Sequence, residues 1–255
     1  MMANKHGIMQ IVSNVKIAKD VYKMIVKGDG VKYIQRPGQF VNLKIDNIET
    51  YLRRPMSICD YDYATDSLTI IYKVVGRGTR LMQKMQPNEY VDMLIGLGNG
   101  FMIPNSIKTA LLVGGGVGVP PLYKLAKDLH QKDINVVSVF GFRNKEDIFY
   151  EEEFKQFGQV YIATDDGSYG FKGNVIELIK EKKIRYDKYF ACGPERMLDG
   201  LVLFDHQNGY LSFEERMGCG FGACMGCSCK VKTAPYKRIC VEGPVLEASE
   251  VIVRG

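Results

Sequence analysis

Cys219, Cys224 and Cys227 form a C-x4-C-x2-C run, and Cys240 follows after twelve intervening residues. This is the plant-type spacing of a [2Fe–2S] cluster. It constrains the fold tightly, because four thiolates have to converge on two irons and the first three must come from a loop that folds back on itself. Gly218, Gly220, Gly222 and Gly226 give that loop small size and backbone freedom, so that main-chain amides can turn toward sulfur. Cys240 would arrive from the strand-like segment RICVEGPV and complete the second iron. A zinc ribbon needs two C-x2-C knuckles and only one is present, so a zinc-stabilised binding module without redox chemistry is the competing reading. Cys229 lacks the x2 spacing and reads as structural or as a neighbour of the cluster, with a swap for Cys227 as the alternative. Cys59 and Cys192 lie in other segments. Seven cysteines with this clustering do not resemble a secreted disulfide scaffold.

The 255 residues suffice for two ordinary domains or one large one, and 46% hydrophobic with 25% charged residues predicts packed cores. Net charge is +5, from 34 basic and 29 acidic residues without a Lys/Arg block, which gives no footprint for nucleic acid. No apolar run approaches the ~20 residues that span a bilayer. The segment MMANKHGIMQIVSNVKIAKD carries no signal-peptide pattern, so a cytoplasmic protein without membrane association is expected.

Along the chain, GIMQIVSNVKIAKDVYKMIVKG reads as two strands around Asn14, followed by QFVNLKI, SLTIIYKVVG and YVDMLIGLG, separated by turn signals. Such spacing predicts a small antiparallel barrel, with one brief helix over Thr79–Lys84. From Ile107 onward strands alternate with helices: TALLVGG, PPLYKLAKDLHQK, INVVSVFGF, EDIFYEEEFKQF, VYIATDD, VIELIKEKK, KYFACGP and ERMLDGLVLFDHQ. That order predicts a parallel sheet covered on both faces. The fold class is therefore β plus α/β, multidomain: a barrel over 1–104, an α/β domain over 105–208 and a cysteine module over 209–255.

Two further segments point to nucleotides. Arg53-Arg54-Pro55-Met56-Ser57 sits between two predicted strands, where Arg54 can fork onto a pyrophosphate and Ser57 can offer a hydroxyl to a ring nitrogen. Ile71-Tyr72-Lys73 and Gly76-Arg77-Gly78-Thr79 follow, the latter a glycine-rich turn suited to phosphate. Gly114 to Pro121, VGGGVGVPP in context, lies at a strand-to-helix junction and admits a dinucleotide close to the backbone. It is not the G-x-G-x-x-G fingerprint, and no acidic residue ends the next strand, so an unrelated α/β enzyme fits this motif alone. Thr164-Asp165-Asp166-Gly167-Ser168 and Ala191-Cys192-Gly193-Pro194 end later strands and are candidates for the ligand crevice.

Taken in order, residues 5–205 resemble the ferredoxin reductase family, whose R-x-x-S flavin motif is matched by Arg54 and Ser57. Its GGGxGxxP and strand-final CGP are matched by Gly114–Pro120 and Cys192–Pro194. With the cysteine module included, RRPMSI, GRGT, GGGVGVPPL, ACGPERML, CGFGACMGCSCK and CVEGPV resemble the electron-transfer subunits of type B dihydroorotate dehydrogenases. The resemblance implies FAD held by Arg54, Pro55, Met56, Ser57, Ile71, Tyr72, Lys73, Gly78 and Thr79. It implies NAD(H) on Gly115, Gly116, Gly118, Asp166, Cys192, Gly193 and Pro194, and a [2Fe–2S] cluster on Cys219, Cys224, Cys227 and Cys240. It places Ser57 near flavin N5 and Cys192 near the nicotinamide, with no acid–base catalyst. Many ferredoxin reductases have Tyr where this chain has Met56, whose thioether can contact a ring face instead. The implied partner is an FMN-containing catalytic subunit that oxidises dihydroorotate in pyrimidine biosynthesis, in a heterotetramer of two of each chain. NADH is the implied nucleotide, although Arg143 is placed to meet a 2′-phosphate. The alternative is a flavin/iron–sulfur subunit of a ferredoxin–NAD(P) reductase or transhydrogenase-type complex. The transhydrogenase type carries Asp in place of the first cysteine, whereas this chain has Cys219. Lys230, Lys232, Lys237 and Arg238 flank the run and either offset cluster charge or form an ordinary solvated face.

Overall fold

The computed structural model describes residues 6–45 and 50–253. Its first part is a closed barrel of β1 (His6–Ala18), β2 (Val21–Lys27), β3 (Phe40–Leu43), β4 (Arg54–Asp62), β5 (Ser67–Lys73) and β6 (Tyr90–Leu97). The strand order around the barrel is β1-β2-β5-β4-β3-β6. Alternate side chains such as Met9, Ile11, Met24, Val26, Val41, Leu43 and Ile70 fill the interior. Helix α1 (Arg77–Met82) follows β5.

Two expectations change here. β1 runs straight through Asn14, and the turn comes instead at Asp20, in left-handed backbone at φ 57°. Asn14 stays in the strand because its amide donates to the Met82 and Met85 carbonyls while Tyr72 Oη donates to its Oδ1. The Arg54–Ser57 stretch is strand rather than connector. Proline is tolerated at position 55 because β4 has a neighbour on only one side at that point. Arg54 to Ser57 pair with β3, whereas pairing with β5 starts at Ile58↔Ile70, beside a bulge at Cys59.

The second part is a seven-stranded sheet in the order β10-β9-β8-β7-β11-β12-β15. It contains β7 (Thr109–Gly115), β8 (Asn135–Phe142), β9 (Gly158–Thr164), β10 (Phe171–Lys172), β11 (Lys188–Cys192), β12 (Gly209–Ser212) and β15 (Val245–Glu247). All pairs are parallel except β12 with β15. The helices are α2 (Tyr123–His130), α3 (Glu151–Lys155), α4 (Val175–Glu181) and α5 (Glu195–Phe204). α3 is much shorter than EDIFYEEEFKQF suggests, because Tyr150 takes left-handed backbone at its start. Residue 208 ends the strand–helix alternation but not the sheet, since β12 and β15 add two outer strands from the 209–255 segment. A hairpin of β13 (Ser228–Cys229) and β14 (Lys237–Arg238) lies between β12 and β15 in the chain.

The two faces of β7 separate two cores. Ala110 and Leu112 pack with α2 and with Cys59 and Ile71 of the barrel. Leu111 and Val113 pack with α4, α5, Cys227, Cys229 and Cys240, and with Phe40 and Leu97 of the barrel. A fully buried Leu or Phe contributes about 1.5–3 kcal/mol, so these bridging side chains hold the three parts as one body. Asn99, just past β6, adds to this: its amide donates to the carbonyls of Glu242 and Val245, and its Oδ1 accepts from Val245 N–H.

Candidate functional site

The divergence of β4 from β5 creates the first part of the site. Arg54 to Ser57 have only β3 beside them, and Ile71 to Lys73 have only β2, so two strand edges face each other across a slot. Buried peptide groups need partners, and an edge left open beside a cavity is where a polar ring system finds them. Arg54 lies across the start of α1, close enough to Gly78 that a Cβ there would fall 2.4 Å from its Nε. Its Nη1 donates to the Leu52 carbonyl. A cavity of about 750 Å³ is lined by Thr50 to Pro55 and Glu214 to Met217. A guanidinium in such a wall suits a pyrophosphate, and the open strand edges suit the flavin ring, so the residues fit FAD.

Side-chain directions refine the expected flavin set. Pro55 and Ser57 share the outer barrel face with their cross-strand partners Asn42 and Phe40. Met56 leans on the barrel core, on the side opposite Ser57. Tyr72 is buried in the barrel with its hydroxyl on Asn14, 2.9 Å away, and Ile71 is buried against the α/β domain. Neither side chain faces the slot, so only their main-chain groups remain for a ligand. Thr79 Oγ1 accepts from Val75 N–H and Gly76 N–H at 3.0 and 3.1 Å, closing its own turn.

The second part lies at the C-terminal ends of β7, β8, β9 and β11, where ligands of open parallel sheets bind. A cavity of about 600 Å³ is lined there by Gly115, Gly116, Gly118, Arg143, Asp165, Gly193 and Pro194, with Lys73 of the barrel and Phe213 to Glu215 closing it. Lys73 Nζ stands 3.4 Å from Asp147 Oδ1. Of the two aspartates after β9, Asp165 lines the cavity; the Asp166 carboxylate accepts from Ser168 N–H and Oγ instead. Cys192 is 1% exposed and sits behind the wall formed by Gly193 and Pro194. Burial, then the charge of Glu214, pushes its thiol up, against a hydrogen bond from Ser212.

The third part is the cysteine run, in which neighbouring thiols act on one another: Cys224 on Cys219, and Cys227 and then Cys219 on Cys240. Among the described residues no three Cys, His, Asp or Glu side chains are drawn together closely enough to hold a metal ion. Amides point at sulfur: Ala223 and Cys224 N–H donate to Cys219 Sγ at 3.2 and 3.4 Å, Gly226 N–H to Cys224 Sγ at 3.5 Å, and Cys240 N–H to Cys227 Sγ at 3.4 Å. Burial pushes the Cys219 thiol up, but the amides of Cys224, Phe221 and Ala223 and the Cys224 thiol outweigh it and hold it at about 6. Burial, then Cys227, pushes Cys240 up to about 12. Main-chain amides directed at the sulfurs of Cys219, Cys224 and Cys227 suit thiolates that hold an iron–sulfur cluster. Cys229 is buried in β13 opposite Lys237. Lys237 and Arg238 form ion pairs with Glu250 and Glu242, so neither is reserved for cluster charge. Arg238 Nη1 also donates to the Gly222 carbonyl at 3.0 Å, which clamps the run.

Two elements escape a reading of the sequence. Asn42 donates from Nδ2 to the Cys219 carbonyl at 3.1 Å; the only local signal is an amide inside the apolar strand FVNL. Glu214 and Glu215 line both cavities, and no motif marks them. Surrounding protein atoms push the Glu214 carboxyl up, while the residue keeps a solvent-exposed surface.

Comparisons with known proteins cover nearly the whole chain. The family described as the iron–sulfur cluster binding domain of dihydroorotate dehydrogenase B matches residues 214–252, and the oxidoreductase NAD-binding domain matches 112–202. A Fusobacterium nucleatum protein named dihydroorotate dehydrogenase B (NAD(+)), electron transfer subunit, is 47% identical over 249 residues, 94% of this chain and 96% of its own. A protein of the same name from Bacillus velezensis is 46% identical over 97% of this chain and 99% of its own. The solved structure of an NADH-dependent reduced ferredoxin-NADP oxidoreductase superposes with a TM-score of 0.87 at 30% identity, over 99% of this chain and 92% of that one. A Neisseria gonorrhoeae ferredoxin NADP+ reductase, at TM-score 0.69 and 16% identity, shares the fold. Nearly half the residues are shared over almost the whole length of both chains, and on that ground the chain belongs to the family of electron transfer subunits of dihydroorotate dehydrogenase B.

Proposed function

We propose that this chain carries electrons between NAD and an FMN-containing, dihydroorotate-oxidising subunit by way of FAD and a [2Fe–2S] cluster, in pyrimidine biosynthesis. The observation that carries the proposal is one continuous segment: Phe213 to Glu215 close the nicotinamide cavity, Glu214 to Met217 line the Arg54 cavity, and Cys219 follows two residues later. Donor site, flavin site and cluster run are thus adjacent along a few residues. Relatives of 46–47% identity carry the dihydroorotate dehydrogenase name, against 30% for the ferredoxin-NADP oxidoreductase, which favours the dihydroorotate reading over the transhydrogenase alternative.

FAD, when bound, supplies two-electron exchange with the nicotinamide and one-electron exchange with the cluster. The protein's part is placement. Gly115, Gly116 and Gly118 admit the dinucleotide to the backbone, and Gly193-Pro194 sets the depth of the cavity. Arg54 would hold the flavin pyrophosphate, and Ser57 on the outer barrel face would offer its hydroxyl to the ring nitrogens. Cys219, Cys224, Cys227 and Cys240 would hold the two irons of the cluster. Hydride transfer needs close stacking more than a protein acid or base, which suits a cavity walled by glycines.

The tip Met217–Gly226 is the proposed contact with the catalytic subunit. Phe221 and Met225 are 47% and 53% exposed there, beside the more exposed Cys219–Cys224 pair. An apolar tip excludes water from the path once covered. The proposed assembly holds two copies of each subunit. Among the described residues no helix is long and apolar enough to cross a membrane, and a cytoplasmic location is the accompanying proposal.

The test is to purify the chain with a dihydroorotate-oxidising FMN subunit. A stable complex with flavin and cluster absorption that reduces NAD with dihydroorotate is expected. A colourless chain containing zinc, or one that ignores the partner and serves only a soluble ferredoxin, would overturn the assignment.

A further inference from the structure

The outer face of the barrel carries both halves of the relay. Ser57 and Pro55 lie directly across from Phe40 and Asn42 on β3, so all four point to the same side. Phe40 packs in the core that also contains Cys227 and Cys240. Asn42 is fully buried, and its Nδ2 donates to the carbonyl of Cys219. Gly220, the next residue, has left-handed backbone at φ +81°, and a Cβ there would fall 2.5 Å from Asn42 Nδ2. Arg53 Nη1 donates to the backbone carbonyl of Asn42 at 3.2 Å and to Asp92 Oδ1 at 2.8 Å, so β3 is braced at this residue.

The other end of the Asn42 amide is anomalous. Its Oδ1 is buried with no hydrogen-bond partner among the described residues. An unmet acceptor costs stability, whereas leucine has a similar shape and would bury none. Stability therefore does not explain an amide here; its single donated bond does. That bond fixes the Cys219–Gly220 peptide, and with it the direction of the amides of Phe221, Ala223 and Cys224 that point at Cys219 Sγ.

We propose that Asn42 is a positioning residue that ties the first ligand of the cluster run to the flavin-bearing face of the barrel, setting the electronic environment of the iron on Cys219 and its distance from the flavin. This rests on the cluster reading above. It assigns Asn42 no contact with substrate. Two consequences follow from the chemistry. Without the donor, the Cys219 carbonyl turns away and the amides at its sulfur weaken; fewer hydrogen bonds to a thiolate ligand lower a cluster's reduction potential. A looser run also lengthens the path from flavin to iron.

The experiment uses the complex with the catalytic subunit and compares wild type, Asn42→Leu and Gly220→Ala. Gly220→Ala keeps the amide but crowds it. Iron and flavin content, the EPR spectrum of the reduced cluster, its midpoint potential and the rates of the separate steps are read. Both variants are expected to shift the EPR spectrum and lower the midpoint potential, and to slow electron passage from flavin to cluster about tenfold or more. Reduction of FAD by NADH should stay within about twofold of wild type. Loss of iron with FAD retained in Asn42→Leu likewise supports the assignment. Wild-type spectrum, potential and inter-centre rate in either variant would overturn it. Should Asn42→Leu fail to fold, Asn42→Ala, which also removes the donated bond, is read in its place, because Ala at the left-handed Gly220 strains the run by itself. A wild-type protein without a cluster would instead refute the function itself, so the two failures are distinguishable.

Discussion

Cys240→Ser should strip the chain of its iron–sulfur absorption while leaving a full complement of FAD. Cys240 is the only one of the four ligand candidates outside the Cys219–Cys227 run, and the backbone joins it to that run through Ile239 N–H on the Cys227 carbonyl and Cys240 N–H on Cys227 Sγ. Serine preserves size and the backbone contacts, so the loss falls on the second iron. The flavin slot is built from β4, β5 and Arg54, with no atom of Cys240 in its lining. NADH should still reduce the flavin and an artificial dye at close to the wild-type rate. Dihydroorotate-dependent reduction of NAD by the complex should fall to background, because the route between the two flavins is cut. Iron analysis and the visible spectrum report the first half, steady-state assays the second. A full cluster in this variant would make Cys229 the fourth ligand and displace Cys240.

Gly118→Ala should leave both FAD and cluster in place and lower kcat/KM for NADH about 100-fold. A Cβ at this glycine would lie 2.2 Å from the Cys192 carbonyl oxygen and 2.6 Å from Gly193 Cα. All of these are backbone atoms, so relief requires moving the GGGVG turn away from the end of β11. Ordinary contact needs roughly 1 Å more room than this, and a displacement of about 1 Å at a reacting centre typically costs about 10²-fold in rate. The effect is confined to the nicotinamide cavity, where Gly118 and Gly193 face each other. Stopped-flow reduction of the bound flavin measures it directly. An unchanged rate would mean that the nicotinamide does not lie between these strand ends.

The two predictions separate the donor side of the relay from the acceptor side. Loss of cluster spares the entry of electrons from NADH, and crowding Gly118 spares their exit. The shared wall at Glu214 and Glu215 lies between them, and Asn42 sits on the acceptor side.

What the sequence by itself determined was whatever repeats locally or carries fixed spacing. The C-x4-C-x2-C run with Cys240 marked four candidate ligands, and strands alternating with helices named a parallel sheet, because face and element type follow from the period of nearby residues. The glycines at Gly115, Gly116 and Gly118 were legible for the same reason. Tertiary structure alone decided which main-chain amides meet the sulfurs of Cys219, Cys224 and Cys227. It also placed Arg54–Ser57 in a strand whose neighbour has peeled away, kept β1 straight through Asn14, turned Met56 and Tyr72 toward the barrel, and chose Asp165 over Asp166 for the cavity. Asn42 against Gly220, 178 positions apart, belongs to the same class. Such facts depend on strand register and on backbone approach between distant segments, and those are set when whole elements pack, not by the pattern within any one of them.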